Sequence, residues 1–369
     1  MPDAHHQLPR LTVACHEQER RFGRAFAILE EGIRGRAFPG AAAAVTSQGR
    51  LIIHKAVGRF TYDPSSSAVE PATIYDLASL TKVMATTAAA MVLFERGRLR
   101  LETGLVEILP EFAVSGDPRR QEVTLRMLLA HSSGLPAYAR LFEQAQEPQA
   151  VLRAAAALPL EADPGCRATY SDPGFVLLGE ALQRLAGESL DVFCRREVYS
   201  PLAMGWTCFC PPEEWRSAIP PAEEDRSFRR RLIQGEVQDE NASALGGVAG
   251  HAGLFAPALE VAAFAECLLN GGAPLWRRDT VEHFTARESS PAGTSRTLGW
   301  DTPTAPSQSG KYFSPRAYGH LGYAGTSLWI DPERKLSVTL LTNRTWPDRT
   351  SQLIKQYRPA FHDAVIEAL

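Results

Sequence analysis

Strand-like segments lie near both ends of this 369-residue chain, and mostly helical sequence separates them. Residues 41–46 and 51–57 are two strand-like runs, and Gly49 in the short link between them suits the positive φ of a tight hairpin. Residues 326–330 and 336–342 form a second β-rich pair. We therefore expect an α/β (α+β) fold in which one antiparallel sheet is built from both ends of the chain, with a helical region inserted between its halves.

Predicted helices flank and interrupt this sheet. Residues 17–34 have the period of an amphipathic helix, and residues 350–369 form a final helix. The apolar face of the first helix would contain Phe22, Phe26, Leu29 and Ile33. Gly and Pro bound five further predicted helices, at residues 77–94, 124–130, 149–157, 173–186 and 261–270.

The length of the chain exceeds that of a typical single domain and suggests two. We expect residues 1–71 and 290–369 to form an α/β sheet domain flanked by the terminal helices. Residues 72–289 would form a mostly helical domain inserted into it. The active site would lie at the interface of the two domains.

Composition excludes several classes of partner. A formal net charge of −3 gives no reason to expect nucleic acid or an anionic membrane surface. The longest apolar stretches are too short to span a bilayer. Residues 1–10 are polar and lack the apolar core of a secretory signal, so we expect a cytoplasmic protein that acts on a small molecule.

The six cysteines are scattered along the chain, at positions 15, 166, 194, 208, 210 and 267. In a reducing compartment such cysteines are free thiols. Cys208 and Cys210 could be half of a metal site, but no matching His or Cys pair follows nearby. We expect neither a metal nor a cofactor.

A Ser-x-x-Lys motif, Ser79 to Lys82, opens the predicted helix over residues 77–94. Asp76 would be its N-cap, and Gly97 would follow its end. Residues three apart on a helix share a face, which would bring the Ser79 hydroxyl beside the Lys82 amine. Positive potential at the helix N-terminus would favour a neutral amine, and a serine nucleophile needs such a base. Surface helices also contain this motif by chance, but here the surrounding sequence is apolar and Ala-rich.

Two further motifs carry chemistry only in combination with the first. Tyr170 lies in a loop before a helix start, where Asp172 would be the N-cap and Pro173 the first helical residue. His320 lies in Gly-His-Leu-Gly, residues 319–322, next to a C-terminal strand. Taken alone, a tyrosine usually packs and a lone histidine is usually structural.

In this order the three motifs resemble those of the serine β-lactamase and penicillin-binding-protein superfamily, which uses Ser-x-x-Lys, Tyr-x-Asn and Lys/His-Thr/Ser-Gly. Residues 125–136 (LRMLLAHSSGLP) resemble a stretch found in class C-like enzymes and their esterase relatives. Residues 235–255 and 319–332 resemble a cytosolic subgroup of β-lactamase-related serine hydrolases. The resemblance covers nearly the whole chain and implies a β-lactamase/transpeptidase-like fold.

The resemblance implies a role for each motif residue. Ser79 would be acylated by the substrate carbonyl, and Lys82 and Tyr170 would share the role of general base. A neighbouring ammonium would lower the pKa of Tyr170 from about 10, and which of the two groups holds the proton is left open. The backbone N–H groups of Ser79 and Tyr323 would form the oxyanion hole, and Gly322 would border the substrate.

Three residues depart from the superfamily pattern. Asp172 stands in place of Asn, so it cannot donate an amide hydrogen bond to substrate and would keep Lys82 protonated. His320 stands in place of Lys, which weakens the fixed positive charge that binds a substrate carboxylate. Leu321 removes a hydroxyl that contacts the same carboxylate. These changes weaken recognition of anionic, peptide-like substrates and leave the acylation machinery intact.

Two other segments have alternative interpretations. Residues 211–231 are rich in Pro, Glu and Arg and form either a solvated loop or a lid over a site. Residues 246–253 are dense in glycine and resemble a phosphate cradle, but the Lys-Ser/Thr of such a motif is absent. Glycines that permit close backbone approach beside a pocket explain the second segment better.

The leading interpretation is a serine hydrolase that cleaves small carboxylic esters through an acyl-enzyme. The first alternative is a D,D-peptidase or β-lactamase-like amidase, which residues 172, 320 and 321 and the missing secretory signal disfavour. The second is a catalytically silent scaffold or ligand sensor, which has no need of Ser79, Lys82 and Tyr170 together. The oligomeric state is left open.

Overall fold

The computed structural model describes residues 11–145, 147–305 and 307–369. The prediction of a cytoplasmic location depended on residues 1–10, which lie outside the described residues, so it stays a prediction. Within the described ranges, no helix combines the length and the apolar character that crossing a membrane requires.

Eleven strands occur in the described part of the chain. They are β1 (Thr12–Val13), β2 (Gly40–Ser47), β3 (Arg50–Gly58), β4 (Ile74–Asp76), β5 (Cys208–Phe209), β6 (Glu223–Asp225), β7 (Arg231–Ile233), β8 (Leu254–Pro257), β9 (Tyr318–Leu321), β10 (Ser327–Asp331) and β11 (Leu336–Thr342). The main sheet has six strands in the order β1-β3-β2-β11-β10-β9; β4, β8 and β5 form a smaller sheet, and β6 pairs with β7. The prediction of one sheet built from both ends of the chain is confirmed.

The expectation that this sheet is wholly antiparallel was wrong at one edge. β1 runs parallel to β3, with Thr12 opposite Arg50 and Val13 opposite Leu51. The other neighbouring strands of the sheet are antiparallel. A two-residue strand is too short to show a period in the sequence, so no pattern could have predicted it.

The predicted hairpin between β2 and β3 is present. Ser47 pairs with Arg50, and the two linking residues, Gln48 and Gly49, have φ values of 52° and 75°. Two successive positive φ values are what a type I′ turn requires, and this turn matches the twist of the strands it joins.

Thirteen α-helices lie within the described ranges. They are α1 (Gln18–Arg21), α2 (Gly23–Arg34), α3 (Ala88–Glu95), α4 (Leu105–Ile108), α5 (Leu125–Leu129), α6 (Leu141–Gln144), α7 (Pro148–Ala157), α8 (Asp172–Ala186), α9 (Leu190–Cys194), α10 (Glu240–Ala244), α11 (Ala258–Leu269), α12 (Arg278–Thr285) and α13 (Ile354–Glu367). Short 3₁₀ segments cover Ala78–Leu80, Pro110–Ala113, Pro118–Glu122 and Glu213–Ala218, and π-helical segments cover Lys82–Thr87 and Arg195–Tyr199.

Two predicted helices are interrupted in the structure, and the final helix, predicted over residues 350–369, spans Ile354–Glu367. The helix expected over residues 17–34 is broken at Phe22, which has φ −108° and ψ 19° and separates α1 from α2. Gly23 follows the break and has weak helix propensity. The helix expected over residues 77–94 passes through a 3₁₀ and then a π-helical segment before it becomes α3.

Helices α2 and α13 pack together on one face of the main sheet. Arg24 of α2 pairs with Glu367 of α13, and Arg21 Nε, at the end of α1, donates a hydrogen bond to the carbonyl oxygen of Ala368 at 2.8 Å. A buried apolar layer separates these helices from the sheet, and its members include Phe26, Leu29, Val45, Ile53, Val338 and Phe361. Helix α11 contacts β2, β10 and β11 as well, and its apolar side chains belong to the larger core shared with the helical region.

The sheet therefore has a helical layer on each face, and the inserted region adjoins it through α11. The boundaries of the two expected domains, residues 1–71 with 290–369 and residues 72–289, remain a prediction.

Candidate active site

Ser79 lies at the turn between β4 and the helical segment that leads to α3. Asp76 Oδ1 accepts a hydrogen bond from the Ala78 N–H at 2.8 Å, and its Oδ2 accepts one from the Gln238 N–H at 2.8 Å. Leu77, rather than Asp76, occupies the N-cap position, which corrects the predicted cap by one residue. Ala78 has a φ of +48°, a strained conformation for a residue with a side chain, and such strain concentrates at functional sites.

Lys82 is fully buried, and three acceptors surround its amine. Lys82 Nζ lies 3.1 Å from Ser79 Oγ, 2.7 Å from Asp172 Oδ1 and 3.0 Å from the carbonyl oxygen of His251. A charged ammonium has three N–H donors, one for each of these acceptors, whereas a neutral amine has two. The geometry therefore matches the ammonium.

The electrostatic environment of Lys82 leads to the same result. Burial works against the charge, but the Asp172 carboxylate and then Tyr170 outweigh burial and raise the pKa of Lys82 above its usual value. Two opposing expectations stood for Lys82: the neutral amine favoured by the helix N-terminus was wrong, and the protonated amine held by Asp172 agrees with the structure. Asp172 makes the difference, because an opposite charge at hydrogen-bonding distance favours the charged form.

Tyr170 faces the same cluster. Its ring centroid lies 4.9 Å from Lys82 Nζ, and its hydroxyl interacts with the side chains of Lys82 and Ser79. Burial raises the pKa of Tyr170, the Lys82 ammonium opposes this, and the Asp172 carboxylate adds to it, so the pKa is raised overall. The sequence-based expectation of a lowered Tyr170 pKa was wrong, because it counted the Lys82 ammonium but not the burial of the ring, which is the largest effect.

Asp172 belongs to the site and does not cap its helix. Ser171 is the N-cap of α8, where its Oγ accepts a hydrogen bond from the Gly174 N–H at 3.0 Å. Asp172 is the first helical residue, with Pro173 after it. Its carboxylate is thus free of the capping role and accepts from Lys82 instead.

His131 supports the tyrosine loop, and the sequence did not single it out. Its ring packs against those of Tyr170 and Phe175, with centroids 4.7 Å and 4.8 Å away. Its Nδ1 accepts a hydrogen bond from the Ser171 N–H at 3.0 Å, which requires a neutral ring. Burial and the charges of Arg296 and Lys82 lower the pKa of His131 well below its usual value, in agreement with that role. Its place in the family-like segment 125–136 was the one signal that could have found it.

The third motif borders the cleft from β9. His320 is 3% exposed, its ring centroid is 5.8 Å from that of Tyr170, and its Nδ1 lies 2.9 Å from the carbonyl oxygen of Leu321. Burial and the charges of Lys82 and Arg296 lower the pKa of His320 well below its usual value. The ring is therefore neutral at pH 7 and supplies no positive charge to a substrate.

Gly322 and Tyr323 follow β9 directly beside the Ser79 segment. A Cβ atom on Gly322 would lie 2.6 Å from the carbonyl oxygen of Leu77, so this approach requires glycine. The Tyr323 N–H donates to no acceptor among the described residues. The Ser79 N–H lies in the first turn of its helical segment, where such groups have no partner within the helix. These two donors are thus available to an oxyanion.

The glycine-dense segment, residues 246–253, brings backbone close to the site. A Cβ on Gly250 would lie 2.1 Å from the carbonyl oxygen of Phe175, so a glycine is needed where this segment crosses α8. The next residue, His251, offers its carbonyl to Lys82, and its Nε2 lies 2.8 Å from Asp239 Oδ1. The close-approach interpretation of these glycines therefore explains their place in the structure.

A cleft of about 880 Å³ opens over Ser79. Segment 211–231 supplies Glu223, Ser227 and Phe228 to its lining. Glu223 is buried and shares the Arg349 guanidinium with Glu240, at 2.6 Å and 2.8 Å. Part of this segment thus forms a wall of the cleft, while other residues, such as Glu213, Glu214 and Arg230, are exposed to solvent.

Arg296 is a cleft residue that sequence reasoning missed. Its guanidinium carbon lies 5.5 Å from the centroid of the Tyr170 ring, and its nearest carboxylate oxygen, Asp301 Oδ2, is 3.6 Å away. It brings to the site the permanent positive charge that His320 lacks. Arg296 lies in an irregular segment without a motif, so no local pattern could have indicated it. Among the described residues, no group of three or more His, Cys, Asp or Glu is arranged to hold a metal ion.

Comparison with known proteins identifies relatives along most of the chain. A family model described as Beta-lactamase matches residues 26–358. A Bacillus subtilis (strain 168) protein named N-acetylmuramyl-L-alanine amidase is 34% identical over 345 residues, covering 83% of this chain and 77% of the relative. An Escherichia coli (strain K12) protein named putative D-alanyl-D-alanine carboxypeptidase is 32% identical over 351 residues, covering 83% and 79%.

Solved structures share the fold. The hydrolase EstCE1, described as having promiscuous acyltransferase activity, superposes with a TM-score of 0.77 at 23% identity, covering 94% of this chain and 99% of that one. A penicillin-binding protein homologue from Pyrococcus abyssi gives a TM-score of 0.73 at 22% identity, covering 94% and 77%. These matches confirm the predicted β-lactamase/transpeptidase-like fold.

Proposed function

Because the chain belongs to the beta-lactamase family of serine hydrolases, we propose that it cleaves small carboxylic esters through an acyl-enzyme formed on Ser79. The observation that carries this proposal is the 3.1 Å contact between Lys82 Nζ and Ser79 Oγ at a fully buried lysine. A serine needs a neighbouring base to become a nucleophile, and a binding protein needs neither the strained turn nor the buried amine.

The proposed reaction has two steps. Ser79 Oγ attacks the ester carbonyl, its proton passes to the Lys82–Tyr170 pair, and the alcohol leaves with a proton from that pair. Water then attacks the acyl-enzyme and releases the acid. The N–H groups of Ser79 and Tyr323 stabilise the oxyanion in both steps, and each such donor contributes roughly 3–4 kcal/mol.

The protonation states of Lys82 and Tyr170 before the reaction limit how the pair can act as a base. Lys82 is held as an ammonium and Tyr170 as a neutral phenol, so neither group can accept the Ser79 proton until the pair loses one. The pair therefore acts as one base, and the reaction should accelerate as the pH rises above neutrality.

Three features favour an ester over a β-lactam. Asp172 presents an anion where a substrate amide needs a donor, His320 is neutral, and Leu321 has no hydroxyl. An ester needs none of these contacts for acylation.

An amidase acting on a carboxylate-bearing peptide is a second candidate, and Arg296 favours it. This guanidinium lines the cleft beside Tyr170 and can take the place of the missing lysine of the third motif. The names of the two bacterial relatives, an amidase and a putative carboxypeptidase, support the same candidate.

The test uses the wild type and Ser79→Ala with four substrates: p-nitrophenyl butyrate, nitrocefin, a D-alanyl-D-alanine peptide and an N-acetylmuramyl-L-alanyl peptide. We expect the wild type to hydrolyse the ester, to cleave nitrocefin poorly, and to lose ester hydrolysis on removal of the Ser79 hydroxyl. Efficient cleavage of either peptide, with little ester turnover, would establish the amidase instead. Failure of a fluorophosphonate probe to label Ser79 would favour a catalytically silent sensor.

A further inference from the structure

Two buried arginines hold the turn that carries the Tyr323 N–H. The carbonyl oxygen of Gly322 accepts a hydrogen bond from Arg358 Nη2 at 3.3 Å, and that of Tyr323 accepts one from Arg344 Nε at 2.6 Å. The Arg344 guanidinium also lies over the Tyr323 ring, 4.2 Å from its centroid. Arg358 comes from α13 and Arg344 from the segment after β11, so two distant parts of the chain meet at this turn.

The environment of Arg358 is unusual for a charged side chain. It is 4% exposed, and none of the ion pairs among the described residues includes it. Its Nε has no hydrogen-bond partner in the same set of residues. Burial and the nearby Arg344 lower the pKa of Arg358 to about 9. A buried cation without a carboxylate partner is costly, so packing alone does not explain an arginine here.

The peptide group between Gly322 and Tyr323 connects this arginine to the chemistry. In a trans peptide the C=O and N–H bonds point in opposite directions, so a contact that fixes the Gly322 carbonyl also fixes the Tyr323 N–H. The Gly325 N–H donates to the same carbonyl at 3.0 Å and closes a tight turn. The carbonyl side of this peptide is therefore occupied by donors, while its N–H side is free.

The same turn is anchored beside the nucleophile. Thr326 Oγ1 donates to the carbonyl oxygen of Leu77 at 2.9 Å, and the Cα of Gly322 packs against that carbonyl with no room for a Cβ. Leu77 is two residues before Ser79. A rotation of the Gly322–Tyr323 peptide would therefore change one of the two donors of the oxyanion hole.

We infer that Arg358 is a positioning residue for the oxyanion hole: it holds the Gly322–Tyr323 peptide so that the Tyr323 N–H faces the acyl oxygen of the substrate. Its charge on the carbonyl side also polarises the peptide, which strengthens the N–H as a donor. Arg344 holds the next carbonyl in the same way. This inference rests on the proposed acyl-enzyme reaction.

The test compares Arg358→Met and Arg358→Lys with a matched control, Arg120→Met. Arg120 is also buried, donates to the backbone carbonyls of Phe112, Ala156 and Leu158, and has an unpartnered Nε, but it does not line the cleft. Each variant is measured for kcat and KM on p-nitrophenyl butyrate, for inhibition by phenylboronic acid, and for thermal stability. Phenylboronic acid forms a tetrahedral adduct with a serine and so reports on the oxyanion hole.

For Arg358→Met we expect a loss of about 10- to 100-fold in kcat, with KM nearly unchanged, because the donor is misplaced rather than deleted. Inhibition by phenylboronic acid should weaken by the same factor. Arg358→Lys, which keeps the charge, should recover most of both losses. Arg120→Met should lower thermal stability without changing kcat.

Equal inhibition of wild type and Arg358→Met by phenylboronic acid would overturn the inference. So would a loss confined to KM for substrates that carry a carboxylate, because Arg358 would then be a substrate ligand. If Arg358→Met does not fold, Arg358→Lys and Arg344→Lys provide the same comparison. A wild type without esterase or amidase activity defeats the proposed function itself, whereas an active wild type with an unaffected Arg358→Met defeats only this inference.

Discussion

Lys82 Nζ lies closer to Asp172 Oδ1, at 2.7 Å, than to Ser79 Oγ, at 3.1 Å. The Lys82 amine, although it lies beside the nucleophile, therefore makes its shorter contact with the Asp172 carboxylate. This relationship sets the charge of the site at rest, because the carboxylate raises the pKa of Lys82 against the effect of burial. Asp172 is also the residue that departs from the Tyr-x-Asn pattern of the superfamily.

Replacing Asp172 with asparagine should move the pH dependence of activity. The carboxylate raises the pKa of Lys82, so its removal lowers that pKa and leaves burial as the dominant effect. We expect the rising limb of the kcat/KM profile to move to lower pH, so that more of the enzyme is active at pH 7. Asp163→Asn, at a surface carboxylate paired with Arg119, is the control and should leave the profile unchanged. A profile that Asp172→Asn leaves in place would contradict the assignment of the base to the Lys82–Tyr170 pair.

Restoring two hydrogen-bonding groups should raise β-lactam turnover. Asp172→Asn combined with Leu321→Thr supplies an amide donor and a hydroxyl, and we expect nitrocefin turnover to rise about 10-fold, the effect of roughly 1.4 kcal/mol from such bonds. Asp172→Asn with Leu321→Val is the matched control, because valine has the shape of threonine without the hydroxyl. If the two double variants turn over nitrocefin equally, a missing hydroxyl at position 321 does not explain the poor turnover of β-lactams.

Breaking the Lys82–Asp172 pair should cost stability that a second substitution restores. Lys82→Met leaves the Asp172 carboxylate, whose side chain is 19% exposed, without its ion-pair partner. We expect the free energy of unfolding to fall by about 2 kcal/mol, less than for a fully buried pair. Lys82→Met with Asp172→Asn should recover part of this loss, because no charge is then unpaired. Urea denaturation measures all three proteins. A double variant less stable than Lys82→Met would show that the pair is not the source of the loss.

Gly250 should not tolerate a side chain. A Cβ at this position would lie 2.1 Å from the Phe175 carbonyl oxygen and 2.9 Å from the Gly179 Cα, which are both backbone atoms. We expect Gly250→Ala to lower stability by about 1–3 kcal/mol and to reduce kcat, because His251 must shift its carbonyl from Lys82. Gly23→Ala is the control, since a Cβ at that residue would have no neighbouring atom within 4 Å. Thermal denaturation and ester hydrolysis of the two variants provide the comparison.

Buried neutral histidines should make the protein acid-sensitive. Burial lowers the pKa of His362 to about 3, whereas an unfolded chain has a histidine pKa of about 6.5. Between these values the unfolded chain binds a proton that the folded one does not, so the free energy of unfolding decreases as the pH falls below about 6.5, by about 2 kcal/mol at pH 5. His362→Gln should show a shallower decrease between pH 7.5 and pH 5. His283→Gln, at an exposed position, should follow the wild type.

The sequence predicted the elements whose period or turn chemistry is local. The hairpin around Gly49 and helices α7 and α8 were found because their signals lie within each segment. The predicted cap of α8 was off by one residue, since Ser171 and Asp172 are both capping types and the choice between them depends on Lys82, ninety positions away in the chain.

The charge state of the site could not be predicted in the same way. The sign of the Tyr170 pKa shift depends on how deeply the ring is buried, which the sequence does not reveal. Arg296 and Arg358 reach the cleft from an irregular segment and from the last helix, so their role follows from tertiary packing alone. The nucleophile Ser79 and its lysine were predictable because they are three positions apart, a spacing that places two side chains on the same face of a helix.

The cluster of Glu223, Glu240 and Arg349 has a consequence for how molecules approach the cleft. It contains two carboxylates for one guanidinium, so this wall carries an excess of negative charge. Arg296 lines the same cleft beside Tyr170, and its ion-pair partner Asp301 lies 3.6 Å away. The charge is therefore distributed unevenly along the cleft, and its electrostatic field acts on a charged molecule before that molecule touches the protein. A molecule with one anionic end would enter with that end turned away from Glu223 and Glu240 and toward Arg296 and Arg358, already oriented when it reaches Ser79.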